Sequence, residues 1–146
     1  MSIEIRKTTA DEVCASGLSV EYEEESALKE LPPAIVQMEQ YKALEEAGVI
    51  YPIGAYFGTT LIGFVAVLTP IMPHYGVKIA CIELFFVAKA YRKSGAGLKL
   101  LKAAERYAKE SECVGLLATS PVDGDLAQVL PRVGYRNTNV VFFKNV

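Results

Sequence analysis

Little in this sequence serves metal, disulfide or membrane chemistry. Its 146 residues include one histidine and three cysteines. Cys14, Cys81 and Cys113 are odd in number, widely separated and without metal-ligand spacing, so no metal is expected, and reduced thiols in the cytoplasm are the default reading. The longest mostly apolar, nearly uncharged stretch, Leu61 to about Met72, falls well short of the ~18 residues that cross a bilayer. No membrane span is expected. Met1 to Glu12 alternates apolar with polar residues and lacks the basic, then apolar, then small-residue order of an export signal. Prolines (7) and glycines (11) are sparse, and no internal repeat or low-complexity segment interrupts the chain. What is present, 51% hydrophobic and 22% charged residues, suits one compact domain over 1–146. A chain of this length buries roughly 70% of its unfolded surface, enough to hold a core without metal or disulfide.

The net charge of −2 disfavours a nucleic-acid binder, but it hides an asymmetry. Residues 1–50 hold four bases against eleven acids, a balance of −7; residues 51–146 hold eleven bases against six acids, a balance of +5. Acidic amphipathic helices coming first would explain this. So would two ligands of opposite charge meeting on one molecule.

Periodicity then divides the chain. Ile3 to Arg6 alternates as a short strand, and Thr8 or Thr9 can cap the helix after it, with Glu12 completing a capping box. Val20 to Ser26 reads as an acidic, turn-like connection; Pro32 and Pro33 precede a helix from about Ala34 to Ala47, stopped by Gly48. Ile53 to Phe57 and Leu61 to Leu68 form a predicted hairpin around Gly58. The loop Thr69 to Val77 carries His74, the only histidine. Lys78 to Ala88, rich in Ile, Phe and Val with Glu83 as its single acid, suits a central strand covered on both faces. From Gly97 to about Glu112, Leu98, Leu101, Ala104 and Ala108 recur at helical spacing. Val114 to Thr119 is predicted as a buried strand, parallel to 78–88 through a right-handed crossover. A short helix near Asp125 to Val133, stopped by Gly134, and a last strand from Asn139 to Lys144 complete the expectation.

The informative turn is Val87 to Leu98, where the buried strand becomes the first turn of the long helix. Unpaired N–H groups and the positive dipole end suit an anion there, Gly95 and Gly97 let the backbone approach it closely, and Arg92 and Lys93 add charge at the rim. Together they form a pyrophosphate cradle. A dinucleotide fingerprint would need a third glycine where Leu100 stands and an acid near Leu117 to Thr119; a Walker loop would need lysine directly after Gly97, where Leu98 stands. Both match poorly.

Arg92-Lys93-Ser94-Gly95-Ala96-Gly97 resembles the Arg/Gln-x-x-Gly-x-Gly/Ala acetyl-CoA signature of the GNAT superfamily of N-acetyltransferases. The likeness extends to Leu61-Ile62-Gly63-Phe64 and to Val133-Gly134-Tyr135, which is similar to the family's Leu-Gly-Phe. It implies a mixed α/β, three-layer fold: a twisted mixed sheet of six or seven strands flanked by about four helices. It also implies that the fourth and fifth strands splay apart around the pantetheine arm of acetyl-CoA. Phe85, Phe86 and Val87 would then supply backbone groups, and the N–H groups of Arg92, Lys93, Ser94, Gly95, Ala96 and Gly97 would hold the pyrophosphate. The Val87 N–H would polarise the thioester carbonyl, a contribution of typically ~3 kcal/mol. Many relatives are homodimers, so a homodimer is expected.

An amine arriving as an ammonium must lose a proton before it attacks. Glu83, the only acid of its strand, stands four residues before Val87 on the expected same face, and in relatives acting on small amines a glutamate in a similar run serves as base. The family's usual acid, a tyrosine four residues before the Gly-Phe glycine, is replaced by Leu130; solvent, Tyr91, Ser120 or a tyrosine of the N-terminal half are the alternatives. Asp123 is expected to cap the helix after it. His74 and Cys81 read as an ordinary loop residue and a buried hydrophobe that shares Glu83's face. In this family the first helices build the acceptor pocket, and Glu21, Glu23, Glu24, Glu25 and Glu30 with Tyr22 would favour a cationic amine. The expected protein is therefore an acetyl-CoA-dependent N-acetyltransferase working by direct attack. Its rivals are a non-catalytic CoA-binding module and a nucleic-acid-modifying relative, the latter disfavoured by the acidic half.

Overall fold

The computed structural model describes residues 2–25, 30–31 and 38–146. The elements run β1 (Ile3–Lys7), α1 (Ala10–Ala15), α2 (Leu18–Glu25), α3 (Met38–Glu46), β2 (Ile50–Phe57), β3 (Thr60–Leu68), β4 (Ile71–Met72), β5 (Val77–Lys78), β6 (Ala80–Val87), α4 (Ala96–Glu110), β7 (Leu116–Ala118) and α5 (Asp125–Val129), with one-turn 3-10 helices at Lys89–Tyr91 and Leu130–Val133. Five strands form a mixed sheet in the order β1-β2-β3-β6-β7. Only the last pair is parallel; β4 and β5 make a separate small hairpin.

The sheet is covered on both faces, giving the three-layer mixed α/β architecture expected. On one side α4 lays Ala96, Leu100, Leu101, Ala104 and Ala108 against Ile53, Val65, Val67, Ile82 and Val87. Leu98, expected on that stripe, is exposed at the rim of the first turn, and Leu100 takes its place in the core. On the other side Leu18 of α2 packs with Tyr56, Leu61, Phe64 and Phe86, with Val13, Tyr22 and Leu84 at the margin. Thr9 caps α1 by accepting the Glu12 N–H (3.1 Å). Beside it Tyr56 donates to the Glu12 carboxylate, and Thr8 Oγ1, 2.8 Å from the same hydroxyl, also donates to Glu12 (2.7 Å), tying α1 to β2.

Several sequence expectations are corrected. Val20 to Glu25 is helical: glutamates are good helix formers, and Leu18 and Tyr22, four apart, anchor α2 on Phe86. Ser26, Pro32, Pro33 and the expected helix start at Ala34 lie outside the described residues. The loop 69–77 contains the strands of the small hairpin. The strand expected over Val114 to Thr119 shortens to three half-buried residues, with Val114 exposed. Residues 139–144 form no strand, and Phe142 is 90% exposed; strand propensity describes fit to a pleated neighbour, and none among the described residues pairs with this segment. Gly124, not Asp123, precedes α5, without a side-chain cap. No helix among the described residues is long and apolar enough to cross a membrane.

Candidate functional site

The site begins where β6 parts from β7. Their pairing runs from Ala80 with Leu116 to Ile82 with Ala118 and stops there, so beyond Ile82 no strand among the described residues lies beside the outer edge of β6. Backbone groups alternate along an antiparallel ladder, and the Ala88 N–H donates to Ile62 O (2.8 Å) on the β3 side. Phe86 likewise turns its backbone groups toward Phe64, its β3 partner, while Phe85 and Val87 turn theirs to the open edge. The Val87 carbonyl confirms the direction by accepting from Arg92 Nε (3.0 Å). Open-edge hydrogen bonding thus falls to Phe85 and to the Val87 N–H, whereas Phe86 contributes its ring to the α2 side, where Tyr22 meets it edge-on at 6.1 Å.

At the end of β6 the chain turns through Lys89–Tyr91 and enters α4. Gly95 takes φ +88°, a left-handed conformation that suits glycine, and this brings the first N–H groups of α4 together at the strand end. Gly97 lies under them: a Cβ there would sit 3.8 Å from Val87 Cγ2 and 3.9 Å from Phe85 Cζ, so the floor of the cradle is these two side chains. Ser94 Oγ accepts weakly from the Ala96 N–H (3.3 Å). The first turn of α4 carries no acidic residue, Lys93 is exposed at the rim, and a diphosphate fits this donor set.

Arg92 departs from the expected arrangement. Its side chain, bonded through Nε to the Val87 carbonyl, passes 5.2 Å over the Phe86 ring and donates from Nη2 to Glu25 Oε2 at the end of α2 (2.7 Å). The bond to Arg92 holds the Glu25 carboxyl below the usual carboxylate range. The acidic N-terminal half and the basic turn are joined through this pair.

A β-bulge places Glu83. Ala66 of β3 pairs with Leu84 and Val67 pairs with Ile82, which leaves Glu83 as the extra residue without a partner opposite. The bulge reverses the facing of the strand: Ala80 and Ile82 point to the α4 core, as do Phe85 and Val87, while Leu84 and Phe86 point to the helices α1 to α3. Glu83 and Val87 therefore do not share a face as expected. Glu83 is exposed on the α2 side, close enough to Tyr22 and Tyr41 that its charge helps raise both hydroxyls. Burial is the main cause for each, pushing Tyr41 up to about 12, so both remain protonated at neutral pH. Tyr41 carried no local signal in the sequence; it reaches the site only because α3 packs beside α1 and over β2.

The remaining candidates lie apart. His74 is exposed in the β4–β5 hairpin against the edge of Tyr75. Cys81, across from Leu68, is a free thiol raised by burial. Leu130 is buried in the α4-side core, and Ser120 donates to the Pro121 carbonyl. Among the described residues no cluster of His, Cys, Asp or Glu is placed to hold a metal ion.

A family model described as "Acetyltransferase (GNAT) family" matches residues 16–135. Comparison with curated proteins yields no match. Solved structures similar in fold include a ribosomal-protein-alanine N-acetyltransferase from Brucella melitensis biovar Abortus 2308, with TM-score 0.77 and 19% identity over 99% of each chain. A transcriptional regulator from Bacillus halodurans C-125 has TM-score 0.79 and 22% identity over 99% of each chain. AAC(6')-Iy, in complex with the bisubstrate analog CoA-S-monomethyl-acetylneamine, has TM-score 0.78 and 18% identity over 100% of this chain and 99% of its own.

Proposed function

The chain belongs to the GNAT acetyltransferase family, and from that premise we propose that it transfers the acetyl group of acetyl-CoA to a primary amine that arrives as a cation, by direct attack of the amine. The observation that carries the proposal is the open edge of β6 beyond Ile82, leading directly into the N-terminus of α4. The backbone N–H groups at Gly95 to Gly97 would hold the pyrophosphate, with Lys93 at the rim, while Phe85 and Val87 would pair with the pantetheine arm as a strand would. Acetyl-CoA, when bound, supplies the activated thioester.

The residues of this chain divide the remaining work. The Val87 N–H, directed to the open edge, donates toward the carbonyl oxygen where negative charge develops. Glu83, re-aimed by the bulge, takes the proton of the ammonium directly or through a water, and with Glu23 makes the approach negative for a cation. Tyr22, protonated and against Phe86, stands in for the tyrosine that Leu130 replaces and is assigned as proton donor to the departing thiolate. Arg92, held by Glu25, orients α2 against the end of β6 and is a positioning residue.

Leu130 favours a second reading, a CoA-binding module without turnover. One experiment separates the two: acetyl-CoA is expected to raise the melting temperature, Gly97→Phe to abolish that shift, and a panel of amines to release CoA thiol. Absence of any shift with the intact protein would sink both readings. A shift with no acetyl-dependent thiol release across the panel would select the second.

A further inference from the structure

Between α1, α2 and α3 and the sheet, next to Leu84, lies a small pocket of about 50 Å³ that is partly open to solvent. Val13, Tyr22, Tyr41, Phe64, Ala66 and Leu84 give it an apolar wall. Two further polar side chains border it, and they differ. Glu45 is already engaged, one oxygen accepting the Ala10 N–H (2.9 Å) and the other meeting Lys7 Nζ (3.4 Å), so its charge is balanced within the protein. Ser19 is only 7% exposed, and its hydroxyl has no hydrogen-bond partner among the described residues. A buried hydroxyl left in that state destabilises the empty protein and suits a ligand that completes it.

Glu83, exposed on the α2 side, directly precedes Leu84 of the apolar wall. Glu83 and Glu23 both act on Tyr22 and Tyr41, which line the pocket together with Leu84 and Ala66. A polyamine would bring further ammonium groups, and an amino sugar several hydroxyls, against a lining that is mostly apolar among the described residues. An amine with one charged head and an apolar arm meets the opposite situation, because its ammonium stays with the carboxylates while the arm leaves water.

Resting on the acetyltransferase reading above, we infer that the preferred acceptor is a small monoamine joined by a short linker to an aromatic or aliphatic arm, ending in a hydroxyl or similar group that bonds Ser19. The arm binds in the pocket and sets specificity; Glu83 and the end of β6 act on the head.

The test measures kcat/KM for ethylamine, butylamine, phenethylamine, tyramine and spermidine by CoA thiol release, beside the acetyl-CoA thermal shift. The rate should climb along the series to phenethylamine by at least about tenfold over ethylamine, as burial of a phenyl arm requires, and tyramine should exceed phenethylamine. Spermidine should rank with ethylamine. Ser19→Ala should remove the tyramine preference and raise the melting temperature of the ligand-free protein, since an unbonded hydroxyl is lost. Ala66→Leu, confirmed as folded by its retained acetyl-CoA shift, should flatten the dependence on the arm. Equal or faster turnover of spermidine, or a series flat in arm length, would overturn the inference and leave the transferase standing. A lower melting temperature for Ser19→Ala would overturn the role of its hydroxyl. Failure of the acetyl-CoA shift together with absence of turnover would instead bring down the transferase reading and, with it, the acceptor role of the pocket.

Discussion

Glu83 illustrates how much one residue's role depends on a neighbour that is missing. In an unbroken strand its side chain would follow strict alternation and share a face with Val87, which points into the α4 core. The unpaired position opposite Ala66 and Val67 turns it out toward Tyr22 and Tyr41 instead, where a carboxylate keeps contact with water and with an incoming cation. Its identity as the one acid of the strand was legible in the sequence. Its direction was not, because a bulge is a property of two paired strands. As general base, Glu83 is expected to contribute on the order of a hundredfold. Glu83→Gln should therefore lower kcat by about that factor and weaken its dependence on pH, with the acetyl-CoA thermal shift unchanged. Steady-state rates across pH check this, and an unaltered profile would remove Glu83 from the mechanism.

At the scale of elements, α2 and the turn into α4 are coupled by Arg92. The guanidinium reaches from the Val87 carbonyl to Glu25, so the helix that walls the amine side is fastened to the strand end where the thioester is proposed to lie. The folded state lowers the Glu25 carboxyl below its ordinary 4.5. A depressed carboxylate contributes stability that is complete above the unfolded value and is lost as pH falls through the folded one. Glu25 is half exposed, so screening limits the pair to about 0.5 kcal/mol. Glu25→Gln should reduce stability by that amount at pH 7, and the difference should vanish below the lowered carboxyl range; denaturant unfolding at the two pH values reads it. The turn itself was legible because its signals are local: glycines, basic residues and a helix stripe of fixed period. The helix over 18–25 was not. A run of glutamates carries no apolar stripe, and only the tertiary contact of Leu18 and Tyr22 with Phe86 shows what holds it.

For the whole molecule, the sheet separates two environments. The α4 side is closed, with Leu100 at 0% exposure and Val65 and Val67 fully covered. The α1 to α3 side retains the pocket. Leu100→Ala should destabilise the protein by about 2–5 kcal/mol, because a closed core leaves a cavity where the side chain stood. Equilibrium unfolding in urea would measure this, with the slope unchanged if the native state keeps its compactness. Ala66→Leu, on the open side, adds volume where space already exists and should be tolerated far better. The amino-acid sequence by itself determined the helical period of α4, the hairpin at Gly58, the covered strand 80–87 and the glycine turn after it, since each depends on residues a few positions apart. Tertiary structure alone decided the bulge that separates Glu83 from Val87, the end of β7 pairing at Ala118, the fold of Arg92 onto Glu25 and the meeting of Ser19, Tyr22 and Tyr41 around one pocket. Those depend on which strand lies beside which and on three helices closing over one face of the sheet, relations between distant residues that no local pattern encodes.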